Sequence, residues 1–310
     1  MALNDENQYY NELWLSDILS GHIKTAQESA DAFLRIRVRE DGVLRRVIEP
    51  IAVTRDDFTP QVDTDQPVIV VEKEPQSPGA MTIPFGDNNP PAYYIQGSRF
   101  RVVLQLLTSR TLRKAVHELA TWRADIKQLL AEMLVKDLTW NEDANFINAC
   151  NTLLGGSAGA TNVISGLTQW HTMPGGITRT SVGDAFKLAF IPPSRIPITT
   201  ILCNVATTAE LFKWERNELG GDDAQSVLYE GWADRKINNA KVVTTIKREL
   251  IPDDTMFFFG HPMFIGKFYV WQEPSLYIEK VDTEIKFRAH EVVGLAIGHG
   301  DGVHRFDFTT

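Results

Sequence analysis

The sequence predicts an α+β fold, and three features carry that expectation. No glycine or proline occurs from Ser98 to Leu154, and most of that stretch places apolar residues at spacings of three and four, the period of a helix face. Residues 33–39 and 99–107 instead alternate with period two, as strands do. From Phe268 onward the chain reads as successive strands over 268–271, 276–281, 285–297 and 303–308.

Residues 1–32 are a polar, acidic lead with one amphipathic stretch, Glu12 to Leu19. It reads either as a short surface helix or loose tail, or as an arm that covers Trp14 on a neighbouring subunit. In Phe33–Arg39 the residues Leu34, Ile36 and Val38 alternate with Arg35, Arg37 and Arg39. Asp41-Gly42 marks a turn and Val43–Ile48 a returning strand, together a hairpin. Arginines 35, 37, 39, 45 and 46 fit a solvated face, or carboxylates on a partner, better than a nucleic-acid patch.

Between Pro50 and Gly97 lie eight of the 15 prolines, at 50, 60, 67, 75, 78, 84, 90 and 91. Proline lacks a backbone donor and is barred from central strands, so this excursion cannot build its own core. Only Val68–Glu72 reads as a firm strand, and Phe85, Tyr93, Tyr94 and Ile95 need another surface to pack on. Arg99–Leu107 follows as a strand with Phe100, Val102, Leu104 and Leu106 on one face. Next is expected a helix over Thr111–Leu138, ~40 Å long at its rise per residue. A second helix over Asn141–Leu154 follows, with Asn141 or Asp143 near its cap.

Gly155–Ala160 is a glycine joint. Beyond it, helix and strand signals alternate: a helix over 182–190, a β-branched strand over 196–203, and a helix to about Glu215 opened by a Thr207/Glu210 capping box. Strands over 241–246 and 255–259 complete this part, the second apolar throughout and so read as fully buried.

Composition narrows the function. The 310 residues are 43% apolar and 23% charged, with 7 Trp, 7 Tyr and 16 Phe, which excludes a disordered chain. No apolar run approaches the ~18 residues of a membrane span. The first residues lack a basic and apolar leader, so synthesis in the cytosol is expected. Cys150 and Cys203 form neither a metal-binding spacing nor a disulfide framework. The net charge of −9 argues against a protein that grips DNA by its phosphates.

Motifs of catalysis fail on context. Gly155–Gly159 matches the G-x-S-x-G pattern around Ser157, but a nucleophile elbow needs a strand before the serine and a helix after it, and here a helix precedes. His117-Glu118 lacks the second histidine of a zinc helix, since Thr121 stands there, and His290-Glu291 fails the same test at Gly294. His299, Asp301 and His304 sit in a glycine-rich turn without an evident third ligand. Neither phosphate-binding glycine motif occurs. No catalytic, cofactor-binding or metal-binding residue is therefore assigned, no cofactor is expected, and the chain is read as a non-enzyme.

The order of elements, with LLAEMLVKDLTWNEDANFINACN at 129–151 and TEIKFRAHEVVGLAIGHGDGVHRFDF at 283–308, resembles the major capsid proteins of tailed phages, whose Hong Kong 97-type fold is shared with encapsulin shells. The resemblance implies an N-terminal arm at 1–32, a β-hairpin and extended loop at 33–98, and a peripheral domain built from a strand and spine helix at 99–159. It further implies an axial α/β domain at 160–265 and closing peripheral strands at 266–310. Glu142-Asp143 match the acidic continuation of the spine helix, and Phe287-Arg288 the apolar-Arg pattern of the closing strand.

On this resemblance the chain forms hexamers and pentamers of an icosahedral shell around double-stranded DNA, assembled in the host cytoplasm and carried in the virion. It implies self-association, a separate scaffolding protein or none because no scaffolding segment leads the sequence, a portal, and in some members a decoration protein. It implies no membrane and no tight or sequence-specific hold on the packaged DNA. The loop crosslink of some members is not carried over, because the only lysine from Pro50 to Gly97 is Lys73, between Glu72 and Glu74. A compact monomer of this mass exposes about 13,000 Å², and a chain with arm and excursion should exceed that. The alternatives are an encapsulin-like compartment, another phage structural protein of tail or decoration type, and, from a different class, a hydrolase using Ser157.

Overall fold

The computed structural model describes residues 2–28, 30–31, 42–60, 62–72, 82–85, 99–120, 126–190, 196–211, 214, 236–298 and 300–309. Helix α1 spans Ala2–Leu19, and α2 is a single turn, Leu44–Val47. Strands β1 (Pro50–Ala52), β2 (Val68–Glu72), β3 (Arg99–Val103), β4 (Gln105–Thr108) and β5 (Leu112–Ala115) follow. Helices α3 (Val116–Ala120) and α4 (Ile126–Leu153) come next. After the glycine joint come β6 (Trp170–Pro174), α5 (Arg179–Ala189), β7 (Thr200–Asn204), α6 (Val205–Leu211), β8 (Lys236–Ile237), β9 (Ala240–Thr245) and β10 (Thr255–Phe259). Then come β11 (Lys267–Val281), β12 (Glu284–Ala296) and β13 (Val303–Thr309).

Two sheets and one strut organise these elements. A five-stranded sheet runs β1-β11-β12-β4, with β5 pairing β12 beside β4. A six-stranded sheet runs β6-β13-β10-β7-β9-β8, while β2 and β3 form a separate ribbon. The first half of α4 shares a core with α1 and the long β11–β12 hairpin: Leu130, Leu134 and Leu138 meet Trp14, Ile18, Ile278, Ile285 and Phe287. Its second half shares a different core with the other sheet, where Phe146, Ile147, Cys150 and Leu153 meet Phe257, Phe259 and Val303. A third core fills the far side of the six-stranded sheet around Phe258, Phe306 and α5. β2 and β3 bury Ile69, Val71 and Val102 against Tyr269, Val292 and Ala296, so the excursion does pack at its root on the hairpin.

The chain departs from the sequence expectations at several points, each for a tertiary reason. The first half of the hairpin, 33–39, and its turn at Asp41 lie outside the described residues, but its returning strand is the turn α2: Val43 and Leu44 donate their N–H groups to the carboxylate of Asp143 (3.1 and 2.9 Å). A carboxylate at the start of a helical turn satisfies its orphan donors, and here it comes from far along the chain.

The expected strand 99–107 breaks at Leu104 into β3 and β4, which pair different partners, and Leu106 is 62% exposed. The expected helix over 111–138 begins with β5 instead, held in register with Glu284–Phe287. The remainder of that helix and the expected helix over 141–154 are one, α4, which passes through Trp140 and Asn141 without a cap.

The box at Thr207 is replaced by Asn204, whose Oδ1 accepts from the Thr207 N–H at 2.7 Å. The strands 268–271 and 276–281 are one, β11, with register shifts between Val270 and Ser275. Other expectations agree with the structure: β2 and β10 fall where the pattern puts them, β10 fully buried, and α5 starts three residues earlier than expected behind a Thr178 cap.

Candidate functional site

The midpoint of α4 is where the two cores meet, and it carries Glu142 and Asp143, both buried. Their partners arrive from three other elements. Arg45 of α2 donates to Glu142 through Nε (3.1 and 3.2 Å) and Nη2 (2.7 Å), and Nη2 also reaches Oε2 of Glu291 on β12 at 2.8 Å. The guanidinium lies 5.4 Å from the ring centre of Phe268. Asp143, besides capping α2, accepts from Lys247 Nζ at 2.7 Å, in the turn after β9.

This constellation ties the root of the excursion, the strut, the first sheet and a loop of the second sheet at one point. Its charges are almost dry, because the side chains of Glu142 and Glu291 are 0% exposed and that of Arg45 is 4% exposed. A buried carboxylate is costly unless paired and hydrogen-bonded. Burial pushes Glu291 up to about 9, with the Glu142 charge adding and Arg45 opposing. Burial raises Glu142 too, and the bidentate fork of Arg45 opposes that rise.

Asn151 at the end of α4 accepts from Arg305 Nη1 at 2.8 Å, and Arg305 stacks 3.9 Å over Trp170, whose Nε1 donates to Asp307 at 2.6 Å. The strut is thus fastened to the six-stranded sheet by a second polar network.

The residues screened for chemistry do not converge. Ser157 is exposed on the turn that follows α4, among Gly155, Gly156 and Gly159 at positive φ, with no strand before it. His117 and Glu118 are exposed on α3, where Glu118 pairs with Lys114 at 3.6 Å. His290 and Glu291 are adjacent in a strand and point to opposite faces. His290 faces Gln272 and Ser275, whereas Glu291 faces Arg45. His299 lies outside the described residues, and His304 is buried in β13.

Among the described residues no group of three His, Cys, Asp or Glu is placed to hold a metal ion. Cys150 and Cys203 are free and buried, and burial pushes both thiols up, Cys203 to about 11. Such thiols are inert at neutral pH.

Of the residues the sequence singled out, Glu142-Asp143 and Arg45 come together, and Phe287-Arg288 split between faces: Phe287 is buried and Arg288 lies 4.6 Å over Tyr277. Glu291 and Lys247 were missed as members of the cluster. Glu291 had a signal, since it occupies the inward parity of Ile285, Phe287 and Ala289 on β12. Lys247 had none.

No family model matches the chain, and no curated protein does. Solved structures do. The mature capsid of bacteriophage PhiM1 aligns with a TM-score of 0.54 at 9% identity, covering 87% of this chain and 88% of that one. The capsid of cyanophage P-SCSP1u gives 0.55 at 11% identity over 84% and 86%. A virus-like particle from Pyrococcus furiosus gives 0.51 at 13% identity over 90% and 98%. Identities this low speak for the shared architecture alone, and that architecture spans nearly all of each chain: this protein has the α+β, Hong Kong 97-type capsid fold.

Proposed function

We propose that the chain is a major capsid protein, assembling as hexamers and pentamers into an icosahedral shell around the double-stranded DNA of a tailed phage. The observation that carries the reading is whole-chain likeness to capsid subunits, 87% of this chain on 88% of the PhiM1 subunit. In this reading 1–32 is the arm, 33–98 the extended loop, 99–159 and 266–310 the peripheral domain, and 160–265 the axial domain.

The surface supports it. The chain exposes 18284 Å², against about 13,000 Å² for a compact monomer of its mass. On α4 the residues Leu129, Met133 and Trp140 form an exposed apolar stripe, and α1 exposes Tyr9, Tyr10 and Leu13. Exposed apolar side chains gathered on helix faces in this way suit a subunit that assembles. A net charge of −9 suits a wall that must not hold its DNA. The role is structural, with Ser157 on a joint; a scaffolding protein, a portal and a decoration protein are the partners this reading calls for.

A second reading, an encapsulin-like compartment, is favoured by the match that covers 98% of the Pyrococcus furiosus particle subunit. Negative-stain imaging with mass determination on the expressed chain, alone and with its neighbouring genes, tests both. Closed shells are expected, with packaged DNA for the first reading and a protein cargo for the second. A monodisperse monomer under every condition overturns both.

A further inference from the structure

We propose that the Arg45–Glu142–Glu291 cluster is a proton-operated joint: it holds residues 42–48 against α4 and β12 while the two carboxyls share a proton, and it releases them when that proton is lost. The argument begins with a charge count. Three carboxylates, Glu142, Asp143 and Glu291, meet two cations, Arg45 and Lys247, so with every group ionised the cluster carries one excess negative charge.

Asp143 is already committed to two backbone N–H groups and to Lys247. That leaves one guanidinium for two buried carboxylates. Written as a carboxylate, Glu291 uses Oε2 on Arg45 and leaves Oε1 buried with no hydrogen-bond partner. An orphaned buried acceptor is costly, and a proton on it converts the orphan into a donor beside Glu142. Like charges held close in a dry site do not both ionise.

Among the described residues the surroundings supply no further cation. From α2 the facing group is Arg45, with Arg46 exposed; from α4 they are Glu142 and Asp143. From β11 the nearby charge is Glu273, a further negative field at Arg45, with the Phe268 ring beneath the guanidinium. β4 sets Leu107 opposite Glu291, and His290 faces the other side of β12.

Burial agrees in direction, moving Glu291 from an ordinary 4.5 to about 9. A raised carboxyl means that the folded chain binds more protons than the unfolded one between those values. The contribution of Glu291 is therefore fully present below about 4.5 and is lost as pH rises toward about 9, by up to about tenfold in the folding constant per pH unit. The part that loosens is the root of the excursion, because α2 leads directly into β1 at Pro50.

The test is Glu291→Gln in the full chain, since glutamine has the shape and donor of the protonated acid. Hydrogen-exchange protection of the Val43 and Leu44 amides and denaturant unfolding are followed from pH 5 to pH 10. The wild type is expected to lose protection at these two amides at least tenfold more than at β10 as pH rises, and the variant to keep it. Equal pH slopes for the two proteins overturn the proposal. If the variant does not fold, infrared difference spectra of the wild type decide: a protonated-carboxyl C=O band at pH 7 that vanishes toward pH 10 supports the joint, and its absence at pH 7 overturns it.

Discussion

Trp14 stacks on Phe287 with ring centroids 5.7 Å apart and an interplanar angle of 16°, and its Nε1 donates to the Ala26 carbonyl at 3.3 Å. The residue that needed cover thus finds it within its own chain, 6% exposed. Helix α1 is a buttress of the five-stranded sheet, and what it offers a neighbouring copy is its outer face. Trp14→Ala is expected to cost about 3–5 kcal/mol, the range for deleting a buried aromatic. Urea unfolding of the full chain checks this. A cost below about 1 kcal/mol, the range of a surface substitution, means that α1 contributes nothing to the isolated subunit.

Arg45→Met should be among the most damaging single changes, because it strands Glu142 and Glu291 without a cation. Removing one partner of a buried pair costs about 3–5 kcal/mol. The double variant Arg45→Met with Glu142→Gln should recover part of that loss, since the buried charges then leave together. A double-mutant cycle by denaturant unfolding measures the coupling. Additive losses mean that the two residues stabilise the fold independently, contrary to the 2.7 Å bridge.

His304 is expected to weaken the fold in acid. Burial, aided by nearby His171, lowers it from 6.5 to about 4. A lowered histidine is neutral in the fold and charged in the unfolded chain below its ordinary value. Its contribution is present above 6.5 and is lost as pH falls through about 4. At pH 5 the unfolded chain already gains of order 2 kcal/mol from protonation. His304→Phe is expected to flatten the decline between pH 6.5 and pH 4, read from unfolding midpoints at half-unit steps. An unchanged slope assigns the acid loss to other groups.

These residues also show what could be read without coordinates. The alternation Ile285, Phe287, Ala289 announced β12 and its inward face, because a half-buried strand must repeat every second residue. Glu291 on that same parity announced a buried charge. The continuity of α4 was not legible. Asn141-Glu142-Asp143 look like a cap, and their true partners, Val43, Leu44 and Arg45, lie about a hundred residues earlier. β5 was hidden for a related reason: Leu112, Val116 and Leu119 satisfy a helical period, and only pairing with Glu284–Phe287 decides for a strand. Local pattern located the elements that bury one face, and missed those whose state is chosen by a distant partner.

The stripe on α4 separates folding from assembly. Leu129, Met133 and Trp140 lie at positions i, i+4 and i+11, which one helix face gathers, and each is exposed while Leu130, Leu134 and Leu138 are buried behind them. A surface left apolar in the subunit gains nothing for folding and only contributes once another surface covers it. Met133→Glu with Trp140→Glu keeps a good helix former at 133 and adds two charges to the stripe. The subunit is expected to unfold within about 1 kcal/mol of the wild type, as changes at exposed sites do. Shell formation should fail, because two carboxylates buried in an interface have no cation provided for them. Sedimentation and negative-stain imaging of both proteins, beside a denaturation curve for each, read the two effects separately. Normal shells from the variant assign the contact to other faces, with the α1 residues Tyr9, Tyr10 and Leu13 next to be charged; a destabilised subunit returns the stripe to the core of its own chain.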